Sequence, residues 1–276
     1  GSVASGPISF MGIFDSVCKT IASAGHRRGA QMATMRVDHP DIMKFITAKG
    51  NNTTLTDFNM SVLITDDFMK AVKNDTTFDL VFNGKVYETV KARNLWDAIL
   101  RHTWDWAEPG VIFIDRVNQM NNLWYIEDIS ATNPCGEQPL PPYGACLLGS
   151  SNLTAYVVVD RRDTHTEFWF DYEKFEQDIP HIVRAMDNVI DETTYPLPEQ
   201  EVEAKAKRRM GLGITGLANT LTALGIRYGS DEAVQFLDHL MGIFVNEAYQ
   251  ASALLASEKG SFPEFDKELY LQSEYT

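Results

Sequence analysis

Apolar positions along the chain follow two spacings, and the change from one to the other marks its elements. Over residues 8–24, ISFMGIFDSVCKTIASA, the residues Phe10, Ile13, Phe14, Val17 and Ile21 recur at helical spacing. Cys18 falls on this predicted helix, where a buried structural thiol is the ordinary outcome. MATMRV (32–37) reads as a strand, and HPDIMKFITAKG (39–50) as a helix from near Pro40 to Gly50. FNMSVLI (58–64) is a second strand, followed by a helix in TDDFMKAVKN with Thr65 as N-cap and acidic residues in its first turn. FDLVF and KVYETV flank Asn83-Gly84, a strong hairpin signal. Residues 92–107 read as a Trp-rich helix, and GVIFID (110–115) as a continuously apolar strand of the kind buried on both faces.

Further along, ACLLGSSNLTAYVVV (145–159) reads as a strand or as strand–loop–strand. From there the chain turns helical, over 172–194, 199–225 and 231–259. The last helix carries a stripe through Phe236, Leu237, Leu240, Phe244, Ala248 and Leu255 and stops at Gly260. Strands alternating with helices in the first half predict an α/β fold with a largely parallel sheet. The helices of the second half are expected to pack outside it.

Composition narrows the classes of function. A hydrophobic fraction of 44% over 276 residues supports one large domain or two ordinary ones and excludes a disordered chain. The net charge of −14 disfavours a nucleic-acid-binding surface, though local basic loops and helix N-termini can still hold a nucleotide. Nothing approaches the run of about 18 apolar residues that a membrane span needs. The start, GSVASGPISFMGIF, lacks the flank and core of a signal peptide. It also lacks Met, and Gly1-Ser2 reads as a cloning remnant, so a piece of a longer protein is expected. Three cysteines point to a reducing compartment, which makes the sequons at Asn52, Asn74 and Asn152 chance matches. Six scattered histidines form no metal-ligand pattern.

Three stretches carry candidate chemistry. Gly211-Leu-Gly213-Ile-Thr-Gly216 matches a dinucleotide fingerprint, but a charged helical segment precedes it where that mechanism needs an apolar strand. Close helix–helix packing at small residues is the plainer reading. The glycine-bounded basic loop AGHRRGAQ (24–31) can grip phosphate, stack on a base, or simply be solvated. The third is Asn133-Pro-Cys135-Gly-Glu137, with Cys146 eleven residues beyond Cys135. Pro134 and Gly136 exclude a regular helix or strand, so its side chains sit on a loop. A neighbouring carboxylate disfavours a thiolate, and no Cys–His dyad is suggested, which argues against a hydrolytic nucleophile. A neutral thiol between an amide and a carboxylate suits hydrogen-atom chemistry with Glu137 as general base. A structural loop is the alternative.

Asn-x-Cys-x-Glu followed by ACLLGSSNL resembles the active-site loop of the ribonucleotide reductase large (catalytic) subunit. Further blocks resemble that family in the same order: SGPISFM, GHRRGAQMATMRVDHPDIMKFI, FNMSVLITDDFM, PGVIFIDRVNQMNN, RRMGLGITGLANTLTALGIRYGSDEA and ALLASEKGSFPEFD. The resemblance covers essentially the whole chain. It implies one partial catalytic domain over 1–276, part of a ten-stranded α/β barrel of the ribonucleotide reductase and glycyl-radical type. A central finger loop is expected at about 130–145 and a helical segment at about 172–260.

The roles below are what the resemblance implies. Cys135 matches the thiyl-radical cysteine that takes the 3′ hydrogen of the substrate ribose. Glu137 matches the general base at the 3′-hydroxyl, and Asn133 the residue that hydrogen-bonds the ribose hydroxyls. Cys146 matches one of two cysteines that deliver reducing electrons and end as a disulfide, and its partner is expected upstream of SGPISFM. Residues 23–33 match the loop between the allosteric nucleotide and the substrate base, with His26, Arg27, Arg28 and Gln31 as contact residues. NPCGEQPLPPYGAC is most similar to the adenosylcobalamin-dependent class, the alternative being the class that uses a separate metal-radical subunit. CLLGSSNL departs slightly from the commoner CNLGSINL-like pattern. Implied partners are a ribonucleotide substrate, a deoxynucleotide or ATP effector and a thioredoxin- or glutaredoxin-type reductant, with no nucleic acid and no membrane. The resemblance also leaves room for an oligomer of the full-length protein and implies a cytoplasmic location. The segment alone is expected to be inactive, which keeps open its reading as a nucleotide-binding fragment without chemistry of its own.

Overall fold

Helix α1 (Pro7–Ile21) shows how far periodicity reaches, because its apolar stripe is not its buried side. Phe10, Ile13, Phe14, Val17 and Ile21 are exposed, whereas Asp15 and Cys18 are buried. Ile8 and Met11 complete that inner side. This computed structural model describes residues 5–21, 29–50, 53–145, 147–161 and 166–274. His26, Arg27, Arg28 and Cys146 lie outside the described residues.

The chain divides into two compact units. One comprises residues 1–142 and 267–276, the other 143–266. In the first, β1 (Gln31–Arg36), α2 (Ile42–Thr47), β2 (Phe58–Ile64), α3 (Asp66–Lys73), β3 (Thr77–Phe82), β4 (Lys85–Lys91), α4 (Ala92–Trp106), β5 (Gly110–Phe113) and α5 (Ile114–Gln119) follow one another. Strands β1, β2 and β5 form a parallel sheet in that spatial order, with Ala33 beside Met60 and Val62 beside Val111. Parallel neighbours need crossovers, and α2 and the α3–α4 segment supply them.

Pleating sorts the side chains of this sheet. Met35, Phe58, Met60, Val62 and Ile64 face a core shared with Ile42, Phe45 and Ile46 of α2, Phe68 and Val72 of α3, and Leu95 and Ile99 of α4. Each fully buried side chain of this kind contributes roughly 1.5–3 kcal/mol. The other face carries Thr34 and Arg36 from β1 and Asn59, Ser61 and Leu63 from β2. It is largely polar, apart from a small cluster of Leu63, Ile114 and Ile129. Thr65 caps α3 by accepting the Phe68 N–H at 3.2 Å. Asn83 and Gly84, with φ of 50° and 74°, turn the β3–β4 hairpin as their sequence predicts. GVIFID departs from expectation. Its strand is only four residues long, lies at the edge of the described sheet and leaves Val111 and Phe113 exposed. Ile114 and Asp115 already open α5. A short hairpin, β6 (Ala131–Thr132) and β7 (Pro139–Leu140), follows.

In the second unit, β8 (Leu148–Asn152), one 3₁₀ turn (Leu153–Tyr156) and β9 (Val157–Arg161) realise the strand–loop–strand reading. Strand β10 (Thr166–Phe170) pairs antiparallel with β9. Helices α6 (Tyr172–Glu192) and α9 (Asp231–Lys259) pack through Phe175, Ile179 and Val183 against Leu240, Phe244, Ala251 and Leu255. Phe175 and Phe244 stack at 5.7 Å. The helix expected over 199–225 is broken. It becomes α7 (Pro198–Lys207), β11 (Gly211–Thr215) and α8 (Leu217–Ala223).

The glycine motif therefore does not serve helix–helix packing. Arg208 ends α7 in the left-handed region at φ 49°, and Gly211–Thr215 pairs in parallel with Leu148–Asn152. Sheet pairing has overridden the helical pattern. Gly216 follows at φ 76°, where a Cβ would meet Asn152 Oδ1 at 2.6 Å, so only glycine fits. The first two motif glycines sit within the strand and not in a loop beyond it, which also removes the dinucleotide reading. Helix α10 (Lys267–Tyr270) belongs to the first unit, where Tyr270 Oη accepts from Asn122 at 2.8 Å. Among the described residues, no helix is long and apolar enough to cross a membrane.

Candidate functional site

The stretch Asn133–Glu137 forms the tip of the β6–β7 hairpin. Ala131 pairs with Leu140 and Thr132 with Pro139, an antiparallel ladder of two residue pairs. The Asn133 carbonyl accepts the Gly136 N–H at 3.0 Å, which makes residues 133–136 a β-turn. Pro134 occupies its second position, where a fixed φ near −65° is favourable. Cys135 is the third residue and is exposed. Gly136 adopts φ 84°, which a side chain would strain.

Asn133 holds the two strands together. Its N–H donates to the Gln138 carbonyl at 3.2 Å, and its Oδ1 accepts the Gln138 N–H at 3.0 Å. The Gln138 amide can only donate, so the oxygen of the Asn133 side chain must face it and the NH₂ group is turned outward. Thr132 Oγ1 donates to the Asn133 carbonyl at 2.9 Å. Cys135, Gly136 and Glu137 are all exposed, so thiol and carboxylate are open to an incoming molecule at the hairpin end.

Such a short hairpin is marginal by itself, and Pro139 contributes no N–H to its ladder. Three contacts fasten it. Asn118 on α5 donates to the Ile129 carbonyl at 2.9 Å and accepts the Ile129 N–H at 2.7 Å, gripping the chain just before β6. Thr34 Oγ1 on β1 donates to the Ser130 carbonyl at 2.9 Å. Asn59 Nδ2 on β2 donates to the Pro134 carbonyl. Thr34 and Asn59 both belong to the polar face of the sheet, so the hairpin lies on the side away from α2, α3 and α4. Arg36, one pleat beyond Thr34, is engaged by both Asp38 oxygens at 3.1 and 2.8 Å. The hydrogen bond from Asp38 raises the Arg36 pKa and keeps it charged.

Of the residues singled out from sequence, Asn133 and Cys135 share one turn and Glu137 follows it at the hairpin tip. Gln31 opens β1 and donates its side-chain amide to Cys18 Sγ at 2.9 Å and to the Phe14 carbonyl at 3.3 Å. Cys18 is buried, as expected of a structural thiol. Sequence reasoning did not find Asn59, Thr34 or Asn118. The available signal was faint: an amide side chain between Phe58 and Met60 in a mostly apolar strand. No group of three or more metal-ligating side chains occurs among the described residues.

Comparison with known proteins places the chain in a family. Residues 1–276 match the family model described as ribonucleotide reductase, barrel domain. The chain is 42% identical over 264 residues to a vitamin B12-dependent ribonucleoside-diphosphate reductase of Thermoplasma acidophilum, covering 95% of this chain and 34% of that protein. It is 42% identical over 276 residues to the similarly named protein of Mycobacterium tuberculosis, covering 99% of this chain and 39% of the relative. A vitamin B12-dependent ribonucleotide reductase of Streptomyces clavuligerus is 30% identical over 288 residues, covering 95% of this chain and 30% of the relative. The chain thus spans 30–39% of the length of these curated relatives.

Proposed function

Because the chain belongs to the ribonucleotide reductase barrel-domain family, we propose that it is the segment of an adenosylcobalamin-dependent ribonucleotide reductase that carries the radical cysteine. The observation that carries this reading is the hairpin turn with Cys135 exposed at its third position, between Asn133 and Glu137. The names of the relatives favour the cobalamin class over the class with a separate metal-radical subunit. The hairpin is the finger loop of a ten-stranded α/β barrel to which this segment contributes strands. Its position on the polar face, with helices on the other, supports that reading.

In this reading the chain's residues act as follows. Cys135, once its thiol hydrogen is removed, takes the 3′ hydrogen of the ribose and later returns one. Glu137 accepts the proton of the 3′-hydroxyl, and a carboxylate exposed to the substrate side suits a general base. The NH₂ group of Asn133 points away from the hairpin and donates to a ribose hydroxyl. The 2′-hydroxyl leaves as water. A dithiol that includes Cys146 supplies the two electrons and two hydrogens and ends as a disulfide. A thioredoxin-type protein then restores the dithiol. The loop with His26, Arg27, Arg28 and Gln31 relates a bound effector nucleotide to the substrate base.

The fit of the cofactor rests on the exposed Cys135 thiol, which has a hydrogen bond to no other described side chain and stands open at the hairpin tip. When bound, adenosylcobalamin supplies the one-electron equivalent that removes the hydrogen atom of that thiol. Cys135 would be the residue of this segment on which it acts.

The test uses the full-length protein with substrate, dithiol and adenosylcobalamin. Turnover is expected with no second metal-bearing subunit, and Cys135→Ser is expected to lower kcat by about four orders of magnitude or more, the scale of losing a group on which the chemistry depends. Turnover retained in Cys135→Ser would remove the reading. Turnover that requires a metal-radical subunit would transfer the chain to the other class.

A further inference from the structure

We infer that Asn59 is a positioning residue for the Cys135 thiol. This rests on the reading of Cys135 as the reacting group. Asn118 and Thr34 grip the hairpin at its base, through Ile129 and Ser130. Asn59 alone among these three anchors reaches the tip. Its Nδ2 donates to the Pro134 carbonyl. That oxygen lies in the same peptide unit as the Cys135 N–H, and a peptide unit is planar. Fixing the oxygen therefore fixes the rotation of the plane, and the Gly136 N–H bond to the Asn133 carbonyl, which closes the turn, restrains the remaining rotation about the Cys135 N–Cα bond, so that the two bonds together set the direction in which the Cys135 Cα–Cβ bond leaves the backbone.

The bond has no substitute within the turn. Pro134 has no N–H, and its carbonyl is not the one that closes the turn, since the Gly136 N–H goes to Asn133. Beyond Asn133 and Gln138 the tip has no ladder partner, because pairing is confined to residues 131–132 and 139–140. Asn59 in turn stands on a rigid element. Phe58 and Met60 on either side of it are buried in the core, and the strand pairs with β1 and β5. A side chain on a buried, doubly paired strand thus sets the attitude of an exposed thiol on a short turn. A misplacement of about 1 Å at a reacting centre can lower a rate about a hundredfold.

Three variants of the full-length protein test this: Asn59→Leu, the isosteric Asn59→Asp, which removes the N–H donor without changing size, and Asn59→Gln, which keeps it. In Leu and Asp, kcat is expected to fall at least about tenfold with KM for substrate within about twofold, the signature of an interaction that acts on the chemical step. Amide hydrogen exchange over residues 130–140 should accelerate in the same two variants, while exchange in β1 and β2 stays as in the wild type. Gln should recover most of both. Wild-type kcat in Leu and Asp overturns the proposal, and so does unchanged exchange over the hairpin. Should Leu perturb the sheet, Asp alone decides. Cys135→Ser run in parallel separates the two ideas. If it remains active, the reading of Cys135 fails, while the exchange measurement still reports whether Asn59 holds the loop.

Discussion

Gln31 Nε2 donates to Cys18 Sγ at 2.9 Å, joining the first residue of β1 to the inner side of α1. Beside it, Asp15 Oδ1 accepts the Asp57 N–H at 3.0 Å, and Asp15 Oδ2 receives Lys19 at 2.6 Å. Helix α1 is therefore fastened by polar bonds and one thiol beside the packing of Ile8 and Met11, with its apolar stripe exposed. Burial pushes the Asp15 carboxyl up, but the Lys19 and Asp57 hydrogen bonds outweigh it and hold the group below its ordinary value. Its charge is kept where it serves the helix attachment.

The two described cysteines should differ in reactivity. Cys135 is exposed and Cys18 buried. Treatment of the native protein with iodoacetamide at about pH 9, where an ordinary thiol ionises without activation, followed by peptide mass spectrometry, is expected to label Cys135 while leaving Cys18 unmodified until denaturant is added. Equal labelling of both would contradict the packing of α1.

The space around Cys18 is full. A Cβ on Gly29 would lie 2.9 Å from Cys18 Sγ. Gly29→Ala is expected to destabilise the protein by about 1–3 kcal/mol, as overpacking does. Combined with Cys18→Ala, the loss should be smaller than the sum of the single losses, because the second substitution removes the atom the first collides with. Denaturant midpoints of the four proteins give the coupling directly, and strict additivity would refute it.

Thr65 caps α3 through its side chain. Thr65→Ala should cost about 1 kcal/mol, and Thr65→Asp should restore most of it by offering an acceptor to the same N–H. Urea unfolding measures both. A neutral Thr65→Ala would mean that water satisfies the Phe68 N–H equally well.

Asp191 accepts two hydrogen bonds from Arg208, at 2.7 and 3.0 Å. The Arg208 guanidinium first, against a smaller opposing effect of burial, and then Lys259 hold its carboxyl down at about 2. An unfolded aspartate titrates near 3.9. The folded value is the lower one, so the stabilisation is fully present above about pH 4 and is lost as pH falls toward 2. Stability of the wild type should decline more steeply over that window than that of Asp191→Asn, whose side chain cannot titrate. The Asp191 side chain is 44% exposed, so added salt should shrink the difference. Parallel acid limbs in the two proteins would show that the pair contributes nothing.

Much of this molecule was determined by sequence alone. FNMSVLI was legible as a strand because alternating and continuous apolar residues both favour a pleated, buried segment. Thr65, Asn83-Gly84 and Gly260 marked their boundaries through local chemistry that needs no distant partner. Asn133, Cys135 and Glu137 were legible as a set because Pro134 and Gly136 force a loop at any tertiary position. What sequence could not decide depended on partners far along the chain. Helical spacing located α1 but not its buried side, which is chosen by Asp57 and Gln31. Gly211–Thr215 looked helical until β8, about sixty residues earlier in the chain, offered it a parallel ladder. Asn59 lies 75 residues before Pro134, and only the folded sheet turns an amide side chain between Phe58 and Met60 into the hydrogen bond that holds the cysteine turn.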